Sequence, residues 1–243
     1  MSEVAARNPD DARDDAARCA VVTGASSGIG KAIAARLTAD GWRVIGLDKD
    51  RATPDAFFQA IAVDLTDFDA LSAALGEISR ANRVVHAVVH AAGFMRTAPL
   101  GALKAEDGAA MWRIHVEAAA VIADALTPKM CAGGRIVLIG SRTANGAAGR
   151  SQYAAVKAAM VGMARSWAAE LAPHGITVNV VAPAATETPM LHDPARGGTP
   201  PKLPPIGRFV RVEEVAALAS FLLGPDAAAI TGQQIVICGG SSI

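Results

Sequence analysis

Apolar residues in this chain gather into short runs separated by stretches of helical length. Residues 19–23, 42–47, 57–63, 83–89, 135–139, 176–181 and 234–238 each read as a strand, and most run apolar without a polar alternation. Continuous apolar strands are those buried on both faces, as in parallel sheets covered by helices. Between them the pattern predicts helices over 31–39, 67–80, 104–126, 151–171 and 211–223, with Asp67 placed to cap the second of these. Strands alternating with helices imply an α/β chain built on a doubly wound parallel sheet of three layers and about seven strands. Residues 183–205 break the rhythm: they are rich in Pro, Gly and Thr and too long for a simple connection. A substrate-covering lid is expected there, within a substrate loop region spanning 183–210.

Composition narrows the partners. Lys and Arg number 23, Asp and Glu 23, which argues against a general attraction to nucleic acid or to an anionic membrane. A hydrophobic content of 51% is enough for a large core. No apolar run approaches the roughly 18 residues a membrane helix needs. Residues 1–17, with Asp10, Asp11, Asp14 and Asp15 among arginines, are expected to form a flexible polar tail before a single domain over 18–243. Cys19, Cys131 and Cys238 form no CxxC pair, and the five histidines have no HExxH spacing, so neither a metal site nor a disulfide framework is expected. All three cysteines are read as small buried hydrophobes of a reduced, cytoplasmic protein.

The first strand runs into Gly24-Ala-Ser-Ser-Gly28-Ile-Gly30 and then a helix. Strand, glycine-rich turn and helix form a phosphate cradle, because glycine admits a close ligand and a helix N-terminus offers free N–H groups. This is the arrangement of a Rossmann-type sheet. Asp48, at the end of the second strand, lies about 20 residues past the loop, where a carboxylate accepts hydrogen bonds from ribose hydroxyls and repels a 2′-phosphate. NAD is therefore expected over NADP, although Lys49 and Arg51 lie nearby.

Ser141 falls at the carboxyl end of the fifth strand, the side on which open parallel sheets bind ligands. A strand-end cap is the other reading of this serine. Tyr153, the only tyrosine in the chain, and Lys157 are spaced i to i+4 on one helix face. A free phenol has a pKa near 10, so about one in a thousand is ionised at pH 7. A cation within a few ångströms lowers such a value by roughly 1–3 units, towards the range where a phenol serves as both base and acid.

With these motifs placed, the chain resembles the short-chain dehydrogenase/reductase family over nearly all of residues 18–243. The matching pieces are TGxxxGIG at 23–30, Ser141, Tyr153-x-x-x-Lys157, Asn179, Thr188-Pro189 and the terminal TGQQIVICGG. The resemblance implies that Ser141 positions the substrate oxygen, Tyr153 transfers the proton, and Lys157 tunes the phenol and binds the nicotinamide ribose. It also implies a cofactor-contact set of Gly24, Ser26, Ser27, Gly28, Ile29, Gly30, Asp48, Asp64, Leu65, His90, Ala91, Gly93, Tyr153, Lys157 and Thr188. Homodimers or homotetramers are implied through helices 104–126 and 151–171.

Three positions depart from the family pattern. His115 stands where an asparagine usually holds a relay water, so it is either a fourth catalytic partner or a core histidine with a satisfied hydrogen bond. His90-Ala-Ala-Gly93 replaces Asn-Asn-Ala-Gly, and Pro183-Ala184 replaces Pro-Gly. Arg142, Asn145 and Arg150 lie between Ser141 and Tyr153, either as anion receivers or as solvated loop residues. Met95, Met190 and His192 are candidate pocket residues. The expected activity is an NAD(H)-dependent interconversion of a secondary alcohol and a ketone. The alternatives are an NADPH-dependent 3-oxoacyl thioester reductase and a dinucleotide-binding regulator with little catalysis.

Overall fold

The computed structural model of the chain describes residues 17–50, 59–81, 84–193 and 200–243. Residues 1–16 of the expected 1–17 tail, Arg51, the starts of the predicted third and fourth strands, and residues 194–199 of the expected lid lie outside the described residues.

Seven strands form one sheet: β1 (Cys19–Thr23), β2 (Arg43–Asp48), β3 (Gln59–Ala62), β4 (Ala87–His90), β5 (Arg135–Ile139), β6 (Thr177–Pro183) and β7 (Gln234–Ile237). Their order is β3-β2-β1-β4-β5-β6-β7, and every neighbouring pair is parallel. The Rossmann-type expectation holds. The helices are α1 (Gly28–Ala39), α2 (Phe68–Ala81), α3 (Ala105–Trp112), α4 (Ala118–Leu126), α5 (Ser151–Leu171) and α6 (Val212–Leu223).

The uninterrupted apolar strands hide a period of two. Val21, Ile45, Val88, Ile136, Leu138, Val178 and Val180 face one layer with Leu71, Leu75, Ile122 and Met160 of α2, α4 and α5. Their neighbours Ala20, Val22, Val44, Val89, Val137, Ile139 and Val181 face the other layer with Ile33 and Leu37 of α1 and Val215 and Leu222 of α6. Successive strand side chains point to opposite faces, so a sheet covered on both sides needs apolar residues at every position. Each Val, Leu, Ile or Met among them contributes about 1.5–3 kcal/mol on full burial.

Local capping agrees with the sequence. Asp67 Oδ1 accepts the Ala70 N–H at 3.1 Å at the start of α2. At α6, Glu214 accepts the Arg211 N–H at 2.9 Å and is held by both terminal nitrogens of Arg208 at 2.8 and 2.7 Å. Asn179 is fully buried; it donates to the Ile230 carbonyl at 2.7 Å and accepts the Gln233 N–H at 3.1 Å, fastening the approach to β7.

Two expectations are corrected. The helix over 104–126 is not continuous: α3 and α4 are joined by a widened π turn over Arg113–Glu117. One outside side chain meets a carbonyl of the turn, and one side chain of the turn reaches out to a carbonyl elsewhere. His90 Nε2 lies 3.0 Å from the Ile114 oxygen, and Arg113 reaches across to the Thr66 carbonyl at 2.7 Å. Cys131 is exposed rather than buried, because it sits in the turn before β5, where its carbonyl accepts the Gly134 N–H at 2.8 Å. Cys19 is buried and Cys238 half-buried. Among the described residues no helix is long and apolar enough to cross a membrane.

Candidate active site

A cavity of about 1420 Å³ opens at the carboxyl ends of the strands. Single-ligand pockets commonly enclose about 300–1,000 Å³, so this one has room for more than a small substrate. Its wall includes Gly24 and residues 26–30 of the loop, Asp48, Asp64, Leu65, Ala91, Gly93, His115, Ser141, Tyr153, Lys157 and Thr188.

The glycines of the loop are forced by close approach. Gly24 has φ +67°, and a Cβ there would stand 2.8 Å from the Ala92 backbone. Gly28, at φ +52°, opens α1 and faces Thr188, whose Cγ2 would lie 3.3 Å from an added Cβ. Ser27 precedes the helix in extended conformation and its side chain makes no cap, so the N-terminus of α1 keeps its polarity for the cavity. Asp48 Oδ2 accepts the Ser26 N–H at 3.0 Å and Oδ1 the Asp50 N–H at 3.2 Å, which anchors the carboxylate against the loop. Asp64 accepts both the Thr66 hydroxyl at 2.7 Å and the Thr66 N–H at 2.8 Å, bonds that hold its carboxyl below the usual range. A narrow glycine loop, an open helix end and a fixed carboxylate suit the pyrophosphate and ribose of a dinucleotide.

His90 is not part of that wall. It is 1% exposed and bonded at both ring nitrogens, to Thr23 Oγ1 at 3.1 Å and to the Ile114 carbonyl at 3.0 Å. Thr23 Oγ1 also accepts the N–H groups of Ala91 and Ala92, both at 3.1 Å. With two N–H groups donating to it, the hydroxyl gives its own hydrogen to Nδ1, and Nε2–H donates to Ile114. Burial pushes the His90 pKa down to about 3, with Lys157 adding to the push, so the ring is neutral. The expected ribose contact is replaced by an internal brace between β1, β4 and the π turn.

Ser141 lies two residues past β5 and caps the 3₁₀ turn Arg142–Asn145, its Oγ accepting the Thr143 N–H at 3.1 Å. The cap uses a lone pair and leaves the hydroxyl hydrogen for another partner. Tyr153 and Lys157 lie one turn apart on α5 and are 8% and 3% exposed. Lys157 Nζ stands 5.7 Å from the Tyr153 ring centre. The ammonium donates to the Ile139 carbonyl at 2.6 Å and to His115 Nδ1 at 3.1 Å. Burial drives its pKa from 10.5 to about 7. The His115 ring meets Tyr153 edge-on at 5.9 Å, and its Nε2 lies 2.8 Å from the Phe94 carbonyl. That carbonyl requires Nε2–H, which turns the Nδ1 lone pair to Lys157. His115 is thus both a satisfied buried histidine and a neighbour of the lysine. Burial and the adjacent ammonium keep it well below its usual pKa.

Arg142, Arg150, Met95, Met190 and His192 line the same cavity, whereas Asn145 is not among its lining residues. Thr188 precedes the 3₁₀ turn Pro189–His192 and donates to the Thr186 carbonyl at 3.3 Å. Sequence reasoning missed the Ile139 and Phe94 carbonyls and the Thr23 hydroxyl. Main-chain acceptors carry no residue signature, and Thr23 was read only as part of a motif.

Known proteins share this architecture. The family model described as enoyl-(acyl carrier protein) reductase matches residues 24–242. A 3-oxoacyl-(acyl-carrier-protein) reductase from Vibrio cholerae is 35% identical over 236 residues, covering 92% of this chain and 96% of that protein. A D-threitol dehydrogenase from Mycolicibacterium smegmatis is 32% identical over 242 residues, covering 93% of each. The crystal structure of a short chain dehydrogenase from Burkholderia cenocepacia in complex with NADP is 33% identical, with a TM-score of 0.82 over 93% of this chain and 98% of that one.

Proposed function

This chain belongs to the short-chain dehydrogenase/reductase family of oxidoreductases, and on that premise we propose that it interconverts a secondary alcohol and a ketone with NAD(H), using Tyr153 as general acid and base. The observation that carries the reading is the convergence of Ser141, Tyr153 and Lys157 on one cavity wall with the glycine loop. Bound at that loop, a nicotinamide dinucleotide supplies the hydride acceptor for oxidation or the donor for reduction. The loop Gly24–Gly30 and the N-terminus of α1 receive the pyrophosphate, and Asp48 and Lys157 the two riboses. Ser141 donates its free hydroxyl hydrogen to the substrate oxygen. Tyr153 Oη takes the hydroxyl proton in oxidation and returns a proton to the carbonyl oxygen in reduction. Lys157, fixed by Ile139 and His115, favours the phenolate by its charge.

NAD rather than NADP is supported by the Asp48 carboxylate, which the Ser26 N–H holds at the cavity wall where a 2′-phosphate would meet it. The second reading, an NADPH-dependent 3-oxoacyl thioester reductase, is favoured by the name of the Vibrio cholerae relative. Assembly into a homodimer or homotetramer is part of the proposal, supported by Leu103 and Trp112 exposed at and before α3. Light scattering at micromolar concentration tests it: a monomer contradicts it. The activity is tested by following NADH and NADPH with panels of simple ketones, sugar alcohols and 3-oxoacyl thioesters. Turnover of ketones and alcohols with NADH is expected. Exclusive turnover of thioesters with NADPH would put the second reading in its place.

A further inference from the structure

One part of the cavity carries positive charge that no ion pair among the described residues neutralises. Arg142 follows Ser141 directly, and Arg150 sits at the start of α5, three residues before Tyr153; both line the cavity. Among the described residues neither guanidinium takes part in an ion pair. The Nε of Arg150 is buried with no hydrogen-bond partner. Native proteins seldom leave a buried donor unmade, because it loses its water and gains nothing in return.

The acids of the wall are engaged or distant in the sheet. Asp193 is held by Arg96 at 3.4 Å. Asp48 ends β2, Asp50 follows it and Asp64 follows β3, and β1 and β4 separate these strands from β5 and Ser141. Burial lowers the pKa of Arg150, Arg142 pushes the same way, and Tyr153 opposes, which puts the three groups in one electrostatic neighbourhood. Two like charges beside a proton-transferring phenol are stabilised by an anion between them. Phe94, Met95 and Met190 add apolar surface to the same wall.

We propose that Arg142 and Arg150 form an anion-receiving subsite and that the substrate is a secondary alcohol or ketone bearing a carboxylate on an apolar body. The guanidinium fork matches the two oxygens of a carboxylate. The inference rests on the oxidoreductase reading of the same cavity.

The test uses matched ketones: levulinate, 3-oxocyclohexanecarboxylate and 4-oxocyclohexanecarboxylate, each beside its methyl ester. Two quantities are read on the full chain: NADH consumption, and quenching of the fluorescence of enzyme-bound NADH on ligand addition. The acids are expected to surpass their esters in kcat/KM by about tenfold or more, the scale of one charge-assisted hydrogen bond. That ratio should collapse towards one in Arg150→Met and in Arg142→Met. Esters matching the acids in the wild type, or an acid-to-ester ratio untouched by both substitutions, overturns the subsite. If neither class is reduced, the oxidoreductase reading fails on these ketones, and the binding readout still decides the subsite. Acid binding that exceeds ester binding and weakens in Arg150→Met upholds it, and equal binding, or none, overturns it.

Discussion

Lys157 Nζ and His115 Nδ1 lie 3.1 Å apart, so the buried ammonium is held by an imidazole. His115 accepts because its other nitrogen is committed to the Phe94 carbonyl at 2.8 Å. Replacing His115 with leucine leaves Lys157 with the Ile139 carbonyl and the Met160 sulfur as hydrogen-bond partners. Loss of a hydrogen bond to a charged group costs about 1.5–3 kcal/mol, so kcat should fall roughly 10- to 150-fold. His115→Asn restores an acceptor and should recover part of that loss. Profiles of kcat against pH check the assignment: a role in holding Lys157 moves the midpoint, whereas a packing role lowers the whole profile without shifting it.

Acid should destabilise the fold through its buried histidines. His90 has its pKa lowered from 6.5 to about 3 in the folded chain. Between those values the unfolded chain binds a proton that the folded chain refuses. Stability is therefore complete above about pH 6.5 and falls by about 1.4 kcal/mol for each unit below it, per histidine. Denaturant melts between pH 7 and 4 measure the slope. His90→Asn should reduce it by one proton's share, and an unchanged slope would contradict the buried neutral ring.

Asp48 should set cofactor preference. Asp48→Ser removes the carboxylate that opposes a 2′-phosphate, and kcat/KM for NADPH relative to NADH should rise about 10- to 100-fold. Kinetics with both cofactors give the ratio directly. A wild type already preferring NADPH would reverse the role given to this residue.

Two glycines should respond in opposite directions. Gly76, in the middle of α2, has no atom within 4 Å of an added Cβ, so Gly76→Ala should stabilise by about 0.5–1 kcal/mol. At Gly93 an added Cβ would overlap the His115 ring. Gly93→Ala should displace the ring from Lys157 and lower activity even where the protein still folds. Thermal melts and initial rates separate the two effects.

The seven strands and the Tyr153–Lys157 face were legible because they rest on periodicity and on i to i+4 spacing, which act locally. The π turn was not. Ala, Met, Ile and Val fill residues 105–126 as a regular helix would, and the turn widens where His90, distant in sequence, draws the Ile114 carbonyl. For the same reason His90 read as a cofactor neighbour, since a strand buried on both faces has no polar alternation to tell its inward side chains from its cavity-facing ones. Cys131 was misread because residue type suggested burial while its turn put it outside.

The central claim is that one phenol moves the proton. Tyr153 is the only tyrosine in the chain, so no second phenol can substitute for it. Turnover of the best ketone by Tyr153→Phe, with NADH binding measured on the same sample, tests the claim most directly. The account predicts that kcat falls roughly 10²- to 10⁴-fold while NADH still binds. Turnover within tenfold of the wild type would contradict it.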